Sequence, residues 1–281
     1  MRFLITSQIM VRYSILGSGS SGNSYIFSDG SDALLVDNGF SRAELMRRIE
    51  SQGFDYSTIR AVFVTHLHPD HARGVGTIAR KDGLCVFTSG RCQECEYEKL
   101  GIPQDQCRII EFGDAVSIGS FLIRSFPTSH DSTGSSGYYI SCPQASFTIV
   151  TDTGVFDQEM VQLARQSDVL FLESNYDSQM LKTGPYPYPL KKRIDGPRGH
   201  LSNTQAEEFL NQCGFFAALT GENKSEICYN SSKYRISKVF LVHLSDTNNS
   251  VSLLEKRFQW MGSVITVCPK GATLSGSIGD Q

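Results

Sequence analysis

Seven consecutive residues, Thr65-His66-Leu67-His68-Pro69-Asp70-His71, constrain this chain more than any other stretch. They gather three of its six histidines and a carboxylate just after the apolar run at residues 61–64, which reads as a strand. The cluster therefore sits on a loop leaving a strand end. In an extended segment His66 and His68 project from the same side. Beyond a turn at Pro69, Asp70 and His71 can face back across a small cavity. Imidazole and carboxylate donors together suit zinc, manganese or iron. Packing alone gives no reason to crowd these groups at a strand terminus, so the stretch reads as a metal site.

Other candidate ligands also follow apolar runs. Residues 121–126 lead to His130, residues 147–150 to Asp152, and residues 239–242 to His243. Each places a donor where loops meet the rim of a sheet, the usual position of a site on a rigid scaffold. Short apolar segments with turn signals between them predict strands at 11–16, 24–27, 33–36, 61–64 and 84–87. Ser41 to Glu44 forms a capping box that opens a helix stopping at Gly53, a second helix spans 70–83, and a polar helix lies around 93–100. Strands at 120–126, 137–141 and 146–150 follow, then helix 157–166, strand 169–172, a loop, and helix 202–213 capped by Ser202. Strand 239–242, helix 253–261 and strand 264–267 complete the pattern, leaving the Gly- and Ser-rich residues 275–281 as a frayed tail. Strands followed by helices, twice over, predict an α/β (α+β) fold of two sheets packed face to face with helices outside. A single domain is expected over residues 11–270, with 1–10 as an extension and 271–281 as tail.

The chain has 281 residues, 40% of them hydrophobic and 20% charged, which allows a sizeable core and excludes global disorder. No apolar run approaches the roughly 18 residues of a membrane span, and residues 1–10 are too short and polar for a secretory signal. Met10 is an alternative start, because the patterned sequence begins at Val11. The net charge of −3 argues against a general nucleic-acid coat but permits a local basic patch. The eight cysteines show no framework spacing and read as reduced thiols of a cytoplasmic protein. Cys92-x-x-Cys95 lacks a second ligand pair and falls in an expected helix.

Taken in order, His66-x-His68-x-Asp70-His71, His130, Asp152 and His243 resemble the metal-binding motifs of the metallo-β-lactamase fold. The resemblance spans residues 11–270 and implies a four-layer αββα sandwich with a site for two divalent metal ions along one edge, zinc foremost, with manganese or iron as alternatives. It implies that His66, His68 and His130 hold the first ion, that Asp70, His71 and His243 hold the second, and that Asp152 bridges both. Asp152 as the bridging group and the absence of a Cys ligand separate the chain from true β-lactamases, whose second site often uses Cys.

Within the superfamily the chain is most similar to the YycJ/WalJ-like (VicX) branch. The stretches that carry this are Gly17-Ser18-Gly19-Ser20-Ser21-Gly22-Asn23-Ser24, Glu173-Ser174-Asn175-Tyr176-Asp177, Gly199-His200-Leu201-Ser202-Asn203 and His243-Leu244-Ser245-Asp246-Thr247-Asn248-Asn249. Members of the branch are associated with 5′-to-3′ exonuclease activity on DNA, so the resemblance implies a nuclease. The spacing from Asp152 to His243 is too short for the clamping domain inserted there in β-CASP enzymes. The spacing from His130 to Asp152 leaves no room for the long arm of many tRNA 3′-processing relatives. Too little chain follows His243 for a glyoxalase-II-type helical domain.

In tRNA-processing nucleases a Gly-His-Ser/Thr stretch supplies a His that contacts phosphate or protonates the leaving oxygen, supported by a Glu after an apolar strand. His200 and Glu173 match those two positions. With Asp70, which would both ligate and orient the attacking hydroxide, and Asp152, they form the expected reacting set. Lys191, Lys192, Arg193 and Arg198, with Tyr186 and Tyr188 just ahead, lie in an expected loop that either holds a phosphate chain and stacks bases or is simply solvated. The Gly/Ser loop lacks the Walker lysine; it either offers backbone N–H groups to a phosphate or is a tight hairpin turn. Ser21, Asn23, Asn175, Ser202 and Asn203 complete the expected substrate contacts. The resemblance thus favours a metal-dependent phosphodiesterase that acts on nucleic acid, with DNA as the expected partner and no membrane. Two alternatives stay open: a thioester, lactone or lactam hydrolase, because the same hydroxide attacks a carbonyl carbon, and a regulatory protein that keeps metals as structural staples.

Overall fold

Two runs of short apolar segments close into two seven-stranded sheets. The computed structural model describes residues 10–90, 94–215, 217–218, 226–227 and 235–279. The first run supplies Val11–Gly17 (β1), Ser24–Ser28 (β2), Ala33–Val36 (β3), Ile59–Phe63 (β4), Cys85–Ser89 (β5) and Cys107–Ile110 (β6). The second supplies Ala115–Ile118 (β7), Phe121–Pro127 (β8), Ser136–Ser141 (β9), Ser146–Val150 (β10) and Val169–Glu173 (β11). After a two-residue pairing of Ala217–Ala218 (β12) with Glu226–Ile227 (β13), Lys238–Val242 (β14) and Ile265–Val267 (β15) join the second sheet. Leu274–Ile278 (β16) then returns to the first, giving the orders β16-β1-β2-β3-β4-β5-β6 and β15-β14-β11-β10-β9-β8-β7. The helices are Arg42–Ser51 (α1), Pro69–Ala72 (α2), Val75–Asp82 (α3), Glu94–Leu100 (α4), Gln158–Arg165 (α5), Ser178–Thr183 (α6), Tyr188–Ile194 (α7), Asn203–Gln212 (α8) and Val251–Phe258 (α9).

The central strands are buried on both faces, and their alternation sorts side chains into layers. In β11, Val169 and Phe171 enter the core between the sheets, while Leu170 and Leu172 meet the helices outside. In β3, Leu34 and Val36 point inward, and Ala33 and Leu35 pack with Leu45, Ile49, Ile78 and Ala79 of α1 and α3. Met160, Phe209, Leu254 and Phe258 of α5, α8 and α9 cover the second sheet in the same way. The expected αββα sandwich is present. Rings dominate its middle: the Phe171 centroid lies 5.4 Å from Tyr25, 5.9 Å from Tyr13 and Phe27, and 5.4 Å from Phe240.

Several elements depart from the sequence reading. The helix expected over 70–83 is two helices, because Gly74 N donates to Asn38 O at 3.0 Å and a Cβ there would collide with the Phe40 carbonyl. Ser41 accepts from Glu44 N, but the Glu44 carboxylate binds Arg47 and Arg48 instead of closing a capping box. A full box forms at Ser202 and Gln205. The expected loop at 188–198 contains α7, which starts after Pro187 with Pro189 in its first turn. The tail read as frayed contributes β16, antiparallel to β1 from Val11↔Ile278 to Ile15↔Leu274. Residues 1–9, Cys92 and most of 214–233 lie outside the described residues. Cys85, Cys107, Cys142, Cys213 and Cys268 are free thiols. Among the described residues no helix is long and apolar enough to cross a membrane.

Phe171→Ala is expected to destabilise the protein by about 3–5 kcal/mol, the usual range for deleting a buried ring. Urea unfolding of the metal-free protein measures it, and a loss under about 1 kcal/mol would show that the ring cluster does not hold the sheets together.

Candidate metal centre

The strands that feed the site run in one direction. β3 and β4 are parallel in the first sheet, as are β10, β11 and β14 in the second, and β8 shares their direction through two antiparallel pairings. Functional side chains therefore leave carboxyl ends, where the chain turns out of the sheet. After β4, residues 64–68 extend to the start of α2, so Asp70 and His71 sit in its first turn. His130 follows β8, Asp152 follows β10, Glu173 ends β11 and His243 follows β14. Among the described residues, the non-glycine positions with positive φ are Asp37 at 61°, Asp152 at 55° and His243 at 59°. Each stands just past a strand, and the left-handed backbone, costing about 1–2 kcal/mol for an L-residue, re-aims its side chain across the rim.

Seven expected ligand side chains meet there. His66 Nε2 lies 3.0 Å from His68 Nδ1. Asp152 stands among the others, with Oδ2 3.4 Å from His71 Nε2 and Oδ1 3.7 Å from His130 Nε2 and 3.6 Å from His243 Nε2. Asp70 Oδ2 is 3.6 Å from His71 Nε2 and 3.9 Å from His243 Nε2. Donor atoms within 4.8 Å of one another form the groups His66–His68–His130, Asp70–His71–His243 and His66–His71–Asp152. Asp152 Oδ2 and His243 Nε2 are buried yet make no hydrogen bond. Such orphaned polar atoms are costly in a native interior, and a divalent cation among these donors satisfies them. The donor set therefore fits divalent metal ions.

Hydrogen bonds behind the rings fix which nitrogen faces the centre. His71 Nδ1 bonds Asp37 Oδ2 at 2.7 Å, His130 Nδ1 bonds Gly199 O at 2.9 Å, and His243 Nδ1 bonds Glu173 Oε1 at 2.8 Å. In each, Nε2 is left toward the cluster, the arrangement that orients metal-binding imidazoles. Asp37 is fully buried and also accepts from Thr65 N and Thr65 Oγ1, both at 2.7 Å. It escaped the sequence reading. Its signal was an apolar strand ending in an Asp, the same pattern as residues 146–152.

Burial lowers the pKa of His66 well below the ordinary value, helped by the neighbouring rings. Burial works the same way on His71 and His243, but carboxylates outweigh it. Asp152, Asp37 and Asp70 raise His71, while Asp152, Asp70 and Glu173 raise His243. Burial likewise opposes the charges of Asp70 and Glu173, yet nearby histidines hold both below the usual carboxylate range.

A cavity of about 290 Å³ opens over the cluster, lined by His68, Asp70, His130, Asp152, His200 and His243, with Arg193 and Asn175 at its wall. His200 Nδ1 bonds Glu173 Oε1 at 2.8 Å, so the expected His–Glu pair is present, and Glu173 carries His243 on the same oxygen. Asn175 donates to the His243 carbonyl at 2.7 Å. Arg193 forms an ion pair with Asp131, a second group missed in the sequence, whose Oδ1 lies 3.5 Å from His68 Nε2 and 3.4 Å from His130 Nε2.

The other expected substrate contacts are not delivered to this cavity. Asn23 is fully buried, its Oδ1 accepting from Gly19 N at 2.7 Å and its amide nitrogen 2.8 Å from His71 Nε2, so it braces the loop against the cluster. Ser202 caps α8, and Asn203 is buried against Ser174 and Asn249. Lys191 and Lys192 lie on the far side of α7, and Arg198 donates to the His130 carbonyl at 3.1 Å. Ser21 is exposed, while Gly19 and Ser20 line the cavity in its place.

A family model described as "Beta-lactamase superfamily domain" matches residues 33–220. The chain is 33% identical over 246 residues to "Exodeoxyribonuclease WalJ" of Streptococcus pneumoniae, covering 86% of this chain and 85% of that protein. It is 30% identical over 244 residues to "Exodeoxyribonuclease YycJ" of Bacillus anthracis, covering 86% of each. The solved metallo-β-lactamase fold protein YhfI from Bacillus subtilis matches with a TM-score of 0.67 at 17% identity, over 96% of this chain and 100% of that one.

Asp37→Ala should weaken divalent-metal affinity about 10–100-fold, the usual cost of removing the partner behind a ligating imidazole. Equilibrium dialysis reads it, and unchanged affinity would remove Asp37 from the centre. His71 and His243 have raised pKa values and must lose protons to bind metal, so affinity should climb as pH rises from about 6 to about 8. Calorimetry in buffers of different ionisation enthalpy should show proton release on binding; its absence at about pH 6 would contradict the assignment.

Proposed function

The chain belongs to the beta-lactamase superfamily domain family, in its WalJ/YycJ-like branch, and on that premise we propose that it is a metal-dependent exodeoxyribonuclease. Its substrate is a DNA strand, degraded in the 5′-to-3′ direction, and its cofactor is a pair of divalent ions, zinc foremost, with manganese or iron as alternatives. The observation that carries the reading is the convergence of His66, His68, Asp70, His71, His130, Asp152 and His243 beside the Glu173-held His200 in one open cavity.

His66, His68 and His130 would hold one ion and Asp70, His71 and His243 the other, with Asp152 available to both sets. This division is supported by the donor groups His66–His68–His130 and Asp70–His71–His243, and the sharing by the group in which Asp152 meets His66 of one set and His71 of the other. Divalent ions held there supply Lewis-acid charge and make water acidic enough to attack near neutral pH. Asp70, still charged because the histidines stabilise its carboxylate, orients the attacking water and accepts its hydrogen bond. Asp152 fixes the spacing of the two ligand groups. His200, turned by Glu173 so that Nδ1 is committed, uses Nε2 to hold the scissile phosphate or to pass a proton to the departing oxygen. Arg193, at the cavity wall, adds positive charge for the phosphate once it leaves Asp131.

The test uses the purified, metal-loaded chain on end-labelled DNA and RNA, single- and double-stranded. Shortening of DNA from its 5′ end is expected. His200→Ala should lower kcat by about 10²–10⁴-fold, the typical worth of a positioned acid–base group, while both metals remain bound. Loss of the metals in this variant would show that His200 is a ligand and not a proton donor.

A further inference from the structure

α7 separates two cavities. Leu190, Arg193 and Ile194 face the cavity over the metal centre, whereas Tyr188, Lys191, Lys192 and Asp195 face a second cavity of about 460 Å³ between α6 and α7. These are opposite sides of one helix, as the 3.6-residue repeat requires. Two groups in the second cavity are already engaged. Lys191 Nζ donates to the carbonyls of Lys182 at 2.9 Å and Gly184 at 2.7 Å, and Asp195 accepts from Tyr176 OH at 2.6 Å. These bonds tie α7 to the end of α6 and to the chain beyond β11.

What remains is a different chemistry. Lys182 and Lys192 are exposed and have no ion-pair partner among the described residues. Tyr188, 75% exposed, stands beside them as the most open of the large hydrophobic side chains there. The floor is apolar, with Leu181 and Tyr176 almost fully buried. An open aromatic face next to two unpaired ammonium groups suits a base stacked on the ring with its phosphates on the lysines, a sequence-tolerant mode of single-strand binding. In a chain of net charge −3, this local excess of cations is distinctive.

We propose that the second cavity is a strand-binding subsite: α7 is straddled by a single DNA strand, with the scissile nucleotide on its Arg193 face and a following nucleotide on its Tyr188 face. This rests on the nuclease reading. Lys182 and Tyr188 carry the subsite, while Lys191 is the tether that keeps the wall in place.

The experiment compares Lys182→Glu and Tyr188→Ala with wild type on two substrates. One is a single strand of about twelve nucleotides, within the span such sites cover; the other is bis(p-nitrophenyl) phosphate, too small to reach past α7. Each variant should raise KM for the strand about tenfold, and turnover of the small diester should match wild type. Lys182→Glu should also flatten the salt dependence of strand binding by about 0.7 in log–log slope for each phosphate that the side chain no longer neutralises. Unchanged KM for the strand in both variants, with DNA still degraded, overturns the subsite and leaves the nuclease reading intact. A metal-loaded wild type that cleaves the small diester but no DNA overturns the nuclease reading, and the subsite with it.

Discussion

Glu173 is a fully buried carboxylate on which three parts of the chain depend. One oxygen accepts from His200 Nδ1 and His243 Nδ1, and the other from the backbone N–H groups of Thr153 and Leu201. A buried carboxyl without such donors takes up a proton and loses its charge. Here the donors keep it ionised, and it in turn locks the segments that follow β10 and β14 and the turn before α8. Asp37 does the equivalent for the first sheet, binding His71 and both the backbone and the hydroxyl of Thr65. Each sheet thus supplies one buried carboxyl group behind the histidines, Asp37 orienting His71 and Glu173 orienting His243, while the Gly199 carbonyl orients His130.

Such an arrangement needs the two sheets held at a fixed spacing. The rings around Phe171 provide it, since side chains from β1, β2, β11 and β14 interlock at one level of the sandwich. On that rigid base the left-handed turns at Asp37, Asp152 and His243 persist despite their local cost. Loops 17–24 and 37–40 brace the opposite side: Asn23 N and Asn38 N, both at 2.7 Å, hold the carbonyls of Asp70 and His71. Gly39 fits there because any Cβ would collide with the Asp70 carbonyl.

The side chains that converge at the candidate centre were legible in the sequence because they cluster at ends of strongly apolar strands, a signal that survives without any knowledge of pairing. The layered order of strands and helices was legible for the same reason. Asp37 was not, since Asp37-Asn38-Gly39 looks like an ordinary turn until β3 is laid beside β4. α7 was hidden by prolines and glycines that punctuate a loop in sequence; its helical state is held by the Lys191 tether and the Tyr176–Asp195 bond, which are tertiary. The polar stretches also misled in part: Asn23, Ser202 and Asn203 share motifs with reacting groups, but their hydrogen-bonding capacity is spent inside the protein. β16 has little intrinsic strand preference, and its conformation comes from the β1 edge it covers.

That strand sets an order of assembly. β1 is the second strand of the first sheet, yet its outer neighbour is the last of the described elements in chain order. During synthesis β1 emerges before the other described strands and carries an unpaired edge until residues 274–278 have been made. The sheet is closed by two segments that lie far apart along the polypeptide, so a nascent molecule stays open to pairing with foreign strands until translation has passed both sheets.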